Sequence, residues 1–454
     1  MKLKKIVGVL AAIGIAAPGV AMATNGMMME GYGPIATGMG GASMAYDNGA
    51  AGMANNPATI GLMANGTSRL DLAVGGLHPD VNSKMTGMPD AKSGGDAYYM
   101  PAVGWIKKNG ALAYGIGVFA QGGMGTEYSA TDWVSAGSGK TSRSELGVGN
   151  LIVPISYDVT PDLNIGGSID FVWAGLDLQM AMSAPQMLGL AMGGNLSATG
   201  AASAGLLPFV GGPASNVGYF DFSNSNDFSG KAHSTGWAGK LGATYKVNKQ
   251  LTLGATYHSQ TNLGDMEADG AKMSMIDATG VNPTATLSGK VKIVDFQWPE
   301  TYGIGLAYQA NDKLMVVADY KRIGWANVMK NFHMVFTSAD LGGLALDMKL
   351  PQEWKDQDVY QLGVAYKATD ALTLRAGVNI ANNPIPDSYV NPLFPATIKD
   401  HYTLGAGYVF NKMSEVNASY VYAPNVSVTA PATSGGYRID HSQSNWQLMY
   451  SHRF

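Results

Sequence analysis

Seven histidines, His78, His233, His258, His333, His401, His441 and His452, are the first place to look for catalysis or metal binding, and their spacing argues against both. None belongs to an HExxH pair or has a close set of Asp or Glu, and the chain has no Gly-x-Ser-x-Gly elbow and no cysteine. A triad assembled from distant strands would be the remaining route to hydrolysis, which leaves a lipid-hydrolysing enzyme only as an alternative. The expectation is therefore no enzyme, no metal and no cofactor. The residues in excess suggest other chemistry, for there are 26 methionines. Their flexible, polarizable thioethers suit surfaces that accept apolar ligands of varied shape. They cluster at Met27, Met28 and Met29, and again at Met180, Met182, Met187 and Met192. Contact with a hydrophobic small molecule is the expected role of Met27 to Met29. For Met187 and Met192, ligand contact and plain gap filling are both open.

Chemistry of this kind needs a scaffold, and the start of the chain says where it is built. Lys2, Lys4 and Lys5 precede an apolar run from Ile6 to Val20 and the small-x-small triplet Ala21-Met22-Ala23, the pattern of a secretory signal over residues 1–23 with a mature start at Thr24. No later apolar segment is long enough to cross a bilayer as a helix. With 29 basic residues against 33 acidic ones there is no nucleic-acid footprint. An exported chain without cysteines must be stabilised otherwise, and a closed barrel does this by pairing every backbone group inside lipid.

A recurring hairpin supports the barrel. Alternating runs flank tight polar turns at Lys107 to Gly110, Asp158 to Asp162, Asn248 to Gln250, Asn311 to Lys313, Thr369-Asp370 and Asn411-Lys412, while the other connections are much longer. Short turns on one side and long loops on the other mark an outer-membrane barrel with its turns in the periplasm. The count is about fourteen antiparallel strands, beginning near 67, 93, 111, 144, 162, 231, 250, 287, 313, 344, 371, 398, 413 and 441, with long extracellular loops near 183–230 and 263–286. Within single runs, Tyr302, Ile304, Leu306 and Tyr308 share a face, as do Tyr360, Leu362, Val364 and Tyr366, and Tyr402, Leu404, Ala406 and Tyr408. Tyrosines bracketing an aliphatic middle fit a strand crossing between two membrane interfaces. The last run, Trp446, Leu448, Tyr450, His452 and Phe454, ends as strands recognised by the barrel-assembly machinery end. Outer-membrane lipid and lipopolysaccharide are the expected surroundings, in a Gram-negative outer membrane.

The opposite faces are rich in Gly, Ala, Thr and Met, unlike the charged lining of a general diffusion porin, which remains the alternative. Asp319 and Arg375 sit on these inward faces. On the lipid side a mid-depth charge would cost about 2–4 kcal/mol. They could anchor an internal plug or simply be solvated lumen charges. Ahead of the first strand, residues 24 to about 62 lack strand alternation and contain Gly31-Tyr32-Gly33-Pro34, Gly38-Met39-Gly40-Gly41-Ala42 and Asn55-Asn56-Pro57-Ala58. The Gly-x-Gly pairs belong to no βαβ unit, so dinucleotide binding is set aside. A small, glycine-rich segment can fold in a confined space, and inside a barrel it would be a plug.

This segment resembles the N-terminal hatch of the FadL/TodX family of outer-membrane transporters for long-chain fatty acids and aromatic hydrocarbons, through Gly38, Gly40, Gly41, Ala42, Asn56, Pro57 and Ala58. Further matches follow in family order: Gly117-Val118-Phe119, Thr126-Glu127-Tyr128, Pro299 to Tyr302, Ala318-Asp319-Tyr320, Trp354-Lys355-Asp356, Leu374 to Gly377 and Asn383 to Pro386. The resemblance implies a fourteen-stranded barrel over 63–454 with a hatch at 24–62. It also implies passive uptake of hydrophobic compounds: capture in a groove of long loops, transfer to a pocket near the hatch, and lateral exit through a strand kink. Phe119 joins the expected ligand contacts on this basis. Gly115, Gly117, Gly122 and Gly123 are candidates for the kink, with ordinary wall curvature as the other reading.

Overall fold

The computed structural model describes residues 25–226, 229–277 and 283–454. The signal reading and Thr24 lie outside these residues, as do a few positions within the two long loops. The wall is built from β1 (Ser68–Lys84), β2 (Tyr98–Asn109), β3 (Leu112–Tyr128), β4 (Ser142–Asp158), β5 (Leu163–Ser183), β6 (Ala232–Lys246) and β7 (Leu251–His258). It continues with β8 (Thr301–Gln309), β9 (Leu314–Ile323), β10 (Gln357–Lys367), β11 (Leu372–Ala381), β12 (Asp400–Asn411), β13 (Ser414–Thr429) and β14 (Arg438–Arg453). Each strand pairs antiparallel with the next, and β14 returns to β1 from Arg69↔Arg453 to Lys84↔Arg438. The ring of wall strands is closed, which is the condition for burying strands in lipid.

Fourteen strands form the shortest circuit, but the upper rim is richer than expected. Val217–Phe222 pairs with the top of β5 and with Met266–Ile276, which touches β6 at Glu267↔His233, so the circuit along the rim holds sixteen strands. From there Pro283–Val294, Asn331–Ser338, Leu344–Pro351 and Leu196–Thr199 extend a sheet beyond the wall. The starts expected near 287 and 344 fall in this outer sheet. The wall strands there begin at Thr301 and Gln357. Both kinds of strand alternate, so period alone cannot separate them. Their outward chemistry does, because the outer sheet carries the ion pairs Lys290–Asp269 and Lys292–Glu267, each at 2.9 Å, whereas the wall presents apolar side chains.

All six tight turns join wall strands at one end, where β1 also begins and β14 ends with the Phe454 N–H donating to Ser68 O at 2.8 Å. The outward face exposes Tyr302, Ile304, Tyr308, Tyr360, Leu362, Tyr366, Tyr402, Leu404 and Tyr408, with Ile304 and Leu404 more than 60% exposed (61% and 63%). An apolar band of that extent is stable only against lipid. No described helix is long and apolar enough to cross a membrane, so the strands do the crossing.

Candidate functional site

The segment from Asn25 to Met63 lies inside the ring and is almost wholly buried. Its turns need glycine: Gly33, Gly40, Gly41 and Gly49 have φ of 80°, 71°, 84° and 74°, a region that disfavours other residues. Pro34 opens the short helix Pro34–Thr37, and Pro57 opens the 3-10 turn Pro57–Leu62 where a missing N–H costs nothing. Asn56 caps that turn, accepting from the Ala58 N–H at 3.1 Å, while its amide donates to Met44 O at 2.7 Å and to Ala243 O of β6 at 3.3 Å. One side chain thus holds the turn, a preceding bend and the wall together.

The inward glycines and alanines of the wall, read from sequence as a small-residue lumen, are the seats of this segment. A Cβ on Gly242 would lie 2.0 Å from Asn56 Oδ1, on Gly254 1.9 Å from Met44 O, on Gly377 2.3 Å from Gly40 N, and on Gly363 2.4 Å from the Met39 Cβ. Seen from the other side, a Cβ on Gly40 would meet Val378 O at 2.3 Å, one on Gly41 the Gln361 Nε2 at 2.4 Å, and one on Gly38 the Gly405 Cα at 3.1 Å. Backbone packs on backbone, and only glycine allows that approach.

Polar anchors come from all round the ring. Asp319 Oδ2 accepts from the N–H groups of Ser43 and Met44 at 2.5 and 3.0 Å. Thr403 Oγ1 accepts from Gly40 N at 2.9 Å, Asn379 donates to Gly40 O at 3.2 Å, and Gln361 donates to Glu30 O at 2.8 Å. His258 meets Asn55 O at 2.9 Å, Asp71 accepts from Ala50 N at 2.8 Å, and Lys108 donates to Gly61 O. Arg375 is different: it donates to Asn417 at 3.0 Å on the wall itself, so of the two lumen charges only Asp319 grips the inner segment directly. Asn379, Gln361 and Thr403 were not singled out from sequence, although their polar character on inward positions beside Asp319 is a readable signal. Replacing Asp319 with Ala leaves two buried donors unpaired at roughly 1–3 kcal/mol each. Proteoliposomes carrying Asp319→Ala should show faster proteolysis between residues 43 and 56, with barrel melting little changed and Asp319→Asn milder.

The three consecutive methionines face three different spaces. Met27 closes an apolar void of about 20 Å³ with Leu146, Leu176, Phe296, Met329, Phe332 and Phe394. Met28 borders a polar chamber of about 30 Å³ that contains His258, Lys321 and the buried Lys240–Asp170 ion pair. Met29 and Phe119 line a cleft of about 50 Å³ with Val74, Met100, Pro101, Ala102 and Val103. Tyr32 stands between the last two spaces and donates to Gln121 O at 3.1 Å. Burial, with Asp170 and Glu30 nearby, pushes its phenol above the ordinary value, so it stays a neutral donor.

The cleft beside Met29 marks a defect in the wall. Pairing between β2 and β3 runs from Asn109↔Leu112 to Val103↔Val118 and stops, although β2 continues up to Tyr98 against β1. Above that point β3 turns inward. Its ladder with β4 has a bulge between Ala120 and Gly122, Gly122 bridges to Met28, and the Gly123 N–H donates to Met27 O at 3.0 Å. Gly122, with φ 156°, and Gly123 lie at this inward turn. Gly115 and Gly117 lie below it in continuous pairing with Ile106 and Gly104, where glycine serves close packing: a Cβ on Gly115 would sit 2.3 Å from Trp105 O. Pro101, which has no N–H to offer a ladder, stands on the unpaired side of the defect and was a signal in the sequence.

Met187 and Met192 are far from these spaces in role. Both belong to the extracellular helix Ala184–Met192, where Met187 is buried against Gly218, and Met192 is 81% exposed at the helix end. Met187 is enclosed, while Met192, Leu188 and Leu207 of the loop helices are exposed.

The histidines are dispersed in space as in sequence. His333 pairs with Asp347 at 3.0 Å on the outer sheet, His441 meets Pro395 O at 2.7 Å, and His78 accepts from Trp446 Nε1 at 3.2 Å. Among the described residues no group of His, Cys, Asp or Glu could hold a metal.

Comparison with known proteins places this architecture. The family model described as "Outer membrane protein transport protein (OMPP1/FadL/TodX)" matches residues 11–452. Outer membrane protein P1 of Haemophilus influenzae is 24% identical over 69% of this chain and 63% of its own length, so the match spans less than two thirds of that relative. The toluene transporter TodX of Pseudomonas putida superimposes with a TM-score of 0.84 at 32% identity, over 94% of this chain and 99% of that one. The toluene transporter TbuX of Ralstonia pickettii does so with a TM-score of 0.76 at 30% identity, over 94% and 99%. By its sequence match and its fold, the chain belongs to the OMPP1/FadL/TodX family of outer-membrane transport proteins.

Proposed function

We propose that the protein conducts small neutral hydrophobic molecules, aromatic hydrocarbons foremost, by passive diffusion from the outer loops into the outer membrane itself. The observation that carries this reading is the seam between β2 and β3, open above Val103 and Val118 and lined by Met29, Phe119, Met100 and Val74, an outward residue of β1. A molecule settles first on the exposed apolar surface of Leu188, Met192 and Leu207. It passes the void beside Met27, where every lining side chain except Gln352 is apolar or aromatic. From there it slips past Met28 to the Met29–Phe119 cleft and leaves sideways into lipid. The void offers no charged partner to a carboxylate, which favours uncharged ligands, and the toluene transporters among its structural neighbours support the same class.

Residues 25–62 act in this scheme as a hatch that keeps polar solutes out. The cleft holds about 50 Å³, against about 150 Å³ for an apolar cavity that accepts benzene, so each passage requires Met29 and Phe119 to swing aside. Their flexible or flat side chains suit that movement. A general porin would need an open aqueous lumen. The run ending at Phe454 is the part we assign to recognition during barrel assembly, and the outward tyrosine belts to contact with lipid and lipopolysaccharide. Cells lacking other uptake routes should gain uptake of labelled toluene when they produce the protein, while proteoliposomes should not swell in sucrose. Rapid swelling with no toluene uptake would refute the proposal.

A further inference from the structure

The connection between β11 and β12 does not arch outward. Residues 382–399 descend into the upper lumen, where Ile385, Val390, Leu393, Phe394, Ala396 and Ile398 are buried. A loop in such a place must find partners for its backbone carbonyls. They come from the inner faces of strands on the far side of the ring and from β14. Thr126 and Tyr128 of β3 donate to Pro392 O at 3.0 and 3.1 Å, Ser144 of β4 donates to Leu393 O, and His441 meets Pro395 O at 2.7 Å. Tyr437, just before β14, donates to Val390 O at 2.6 Å. Four prolines at 384, 386, 392 and 395 stiffen the span. The result is a crossbar fixed at both ends.

This crossbar carries one aromatic ring to the route. Phe394 faces Phe332 of the outer sheet, with centroids 5.8 Å apart, and the two rings close the apolar void above Met27 and Phe296. The remaining space, about 20 Å³, holds no more than a single water. Met27 and Met329 in the same lining are flexible, whereas Phe394 is held by a loop whose carbonyls at Val390, Pro392, Leu393 and Pro395 are tied to side chains of β3, β4 and the β14 end of the chain. The rigid member of an aperture sets its width.

We infer that Phe394 is the size-selecting residue of the channel, limiting passage to single-ring compounds because the crossbar cannot yield to a fused pair of rings. This rests on the proposed transport of hydrophobic compounds and adds the residue that sets the size limit. Removing the phenyl ring widens the aperture without touching the β2–β3 seam. Weakening the anchors with Thr126→Val and Ser144→Ala lets the same ring give way, so both changes act in one direction.

The experiment measures initial uptake of labelled toluene and labelled naphthalene by cells producing the full-length protein. Phe394→Ala is expected to raise the naphthalene-to-toluene ratio about tenfold, the scale on which a change of one small apolar group alters discrimination in a pocket. Phe394→Leu should fall between it and the unaltered protein, and the Thr126→Val, Ser144→Ala pair should raise the ratio with Phe394 intact. Phe394→Leu keeps the test valid should the alanine variant fail to reach the membrane. Ratios unchanged in variants that still take up toluene would overturn the assignment of Phe394 while leaving transport standing. An unaltered protein that passes neither compound would overturn the transport reading and this inference with it.

Discussion

Deleting residues 25–60 should turn a tight barrel into an aqueous pore. The wall closes through its own ladders, from β1 to β14 and back, and none of those hydrogen bonds passes through the inner segment. What the segment contributes is filling. It covers Asp319, Gln361, Asn379, Thr403 and Asp71, polar groups that water would solvate readily once it is gone. The deleted form should therefore still assemble and keep its heat-modifiable migration on gels, and, since losing Met27 removes the floor against which Phe394 closes the upper void, admit sucrose at rates typical of open porins. Toluene uptake should lose its dependence on Phe119, since a molecule could bypass what remains of the cleft. A barrel that stays sealed to sucrose without this segment would remove the hatch from the account.

The sequence was most legible where one residue's place follows from its neighbours two positions away. The tyrosine-bracketed runs at 302–308, 360–366 and 402–408, the six polar turns and the terminal Phe454 all report a local period, and all lie where that period puts them. Strand starts failed near 287 and 344 for the same reason, since an extramembrane sheet obeys the same alternation and differs only in the charge of its outward side chains. Asp319 could be placed inward because a mid-strand charge is costly toward lipid. Its partners, the Ser43 and Met44 N–H groups, could not be read, because they lie 276 and 275 residues away and no spacing encodes them.

The site itself was partly legible. Met27, Met28, Met29 and Phe119 do border the internal spaces, whereas Met187 packs in an extracellular helix and Met192 lies on its surface. Thioethers fill gaps and contact ligands with the same atoms, so the residue type does not separate the two uses. Of the four glycines considered for the kink, Gly122 and Gly123 lie where β3 turns inward. Gly115 and Gly117 serve strand packing, a distinction that depends on where the β2–β3 ladder ends. The inward crossbar left a trace in Val390, Leu393, Phe394 and Ile398, apolar residues in what should have been a solvated loop.

Lateral exit through the seam can be blocked by a reversible covalent lock between β2 and β3. Ala102 and Phe119 would face each other one step above Val103↔Val118 if the ladder continued, and both line the cleft. The chain has no cysteine of its own, so Ala102→Cys with Phe119→Cys creates a single pair that can be oxidised without competition. A disulfide requires Cα atoms within about 7 Å, so its formation draws the two strands together. Single-cysteine variants control for the loss of the Phe119 ring. The decisive quantity is the initial rate of labelled toluene uptake by cells producing the double variant, oxidised and then reduced. Oxidation should lower uptake to the level of cells without the protein, and a thiol reductant should restore it; a fully oxidised pair that leaves uptake unchanged would rule out passage through the wall.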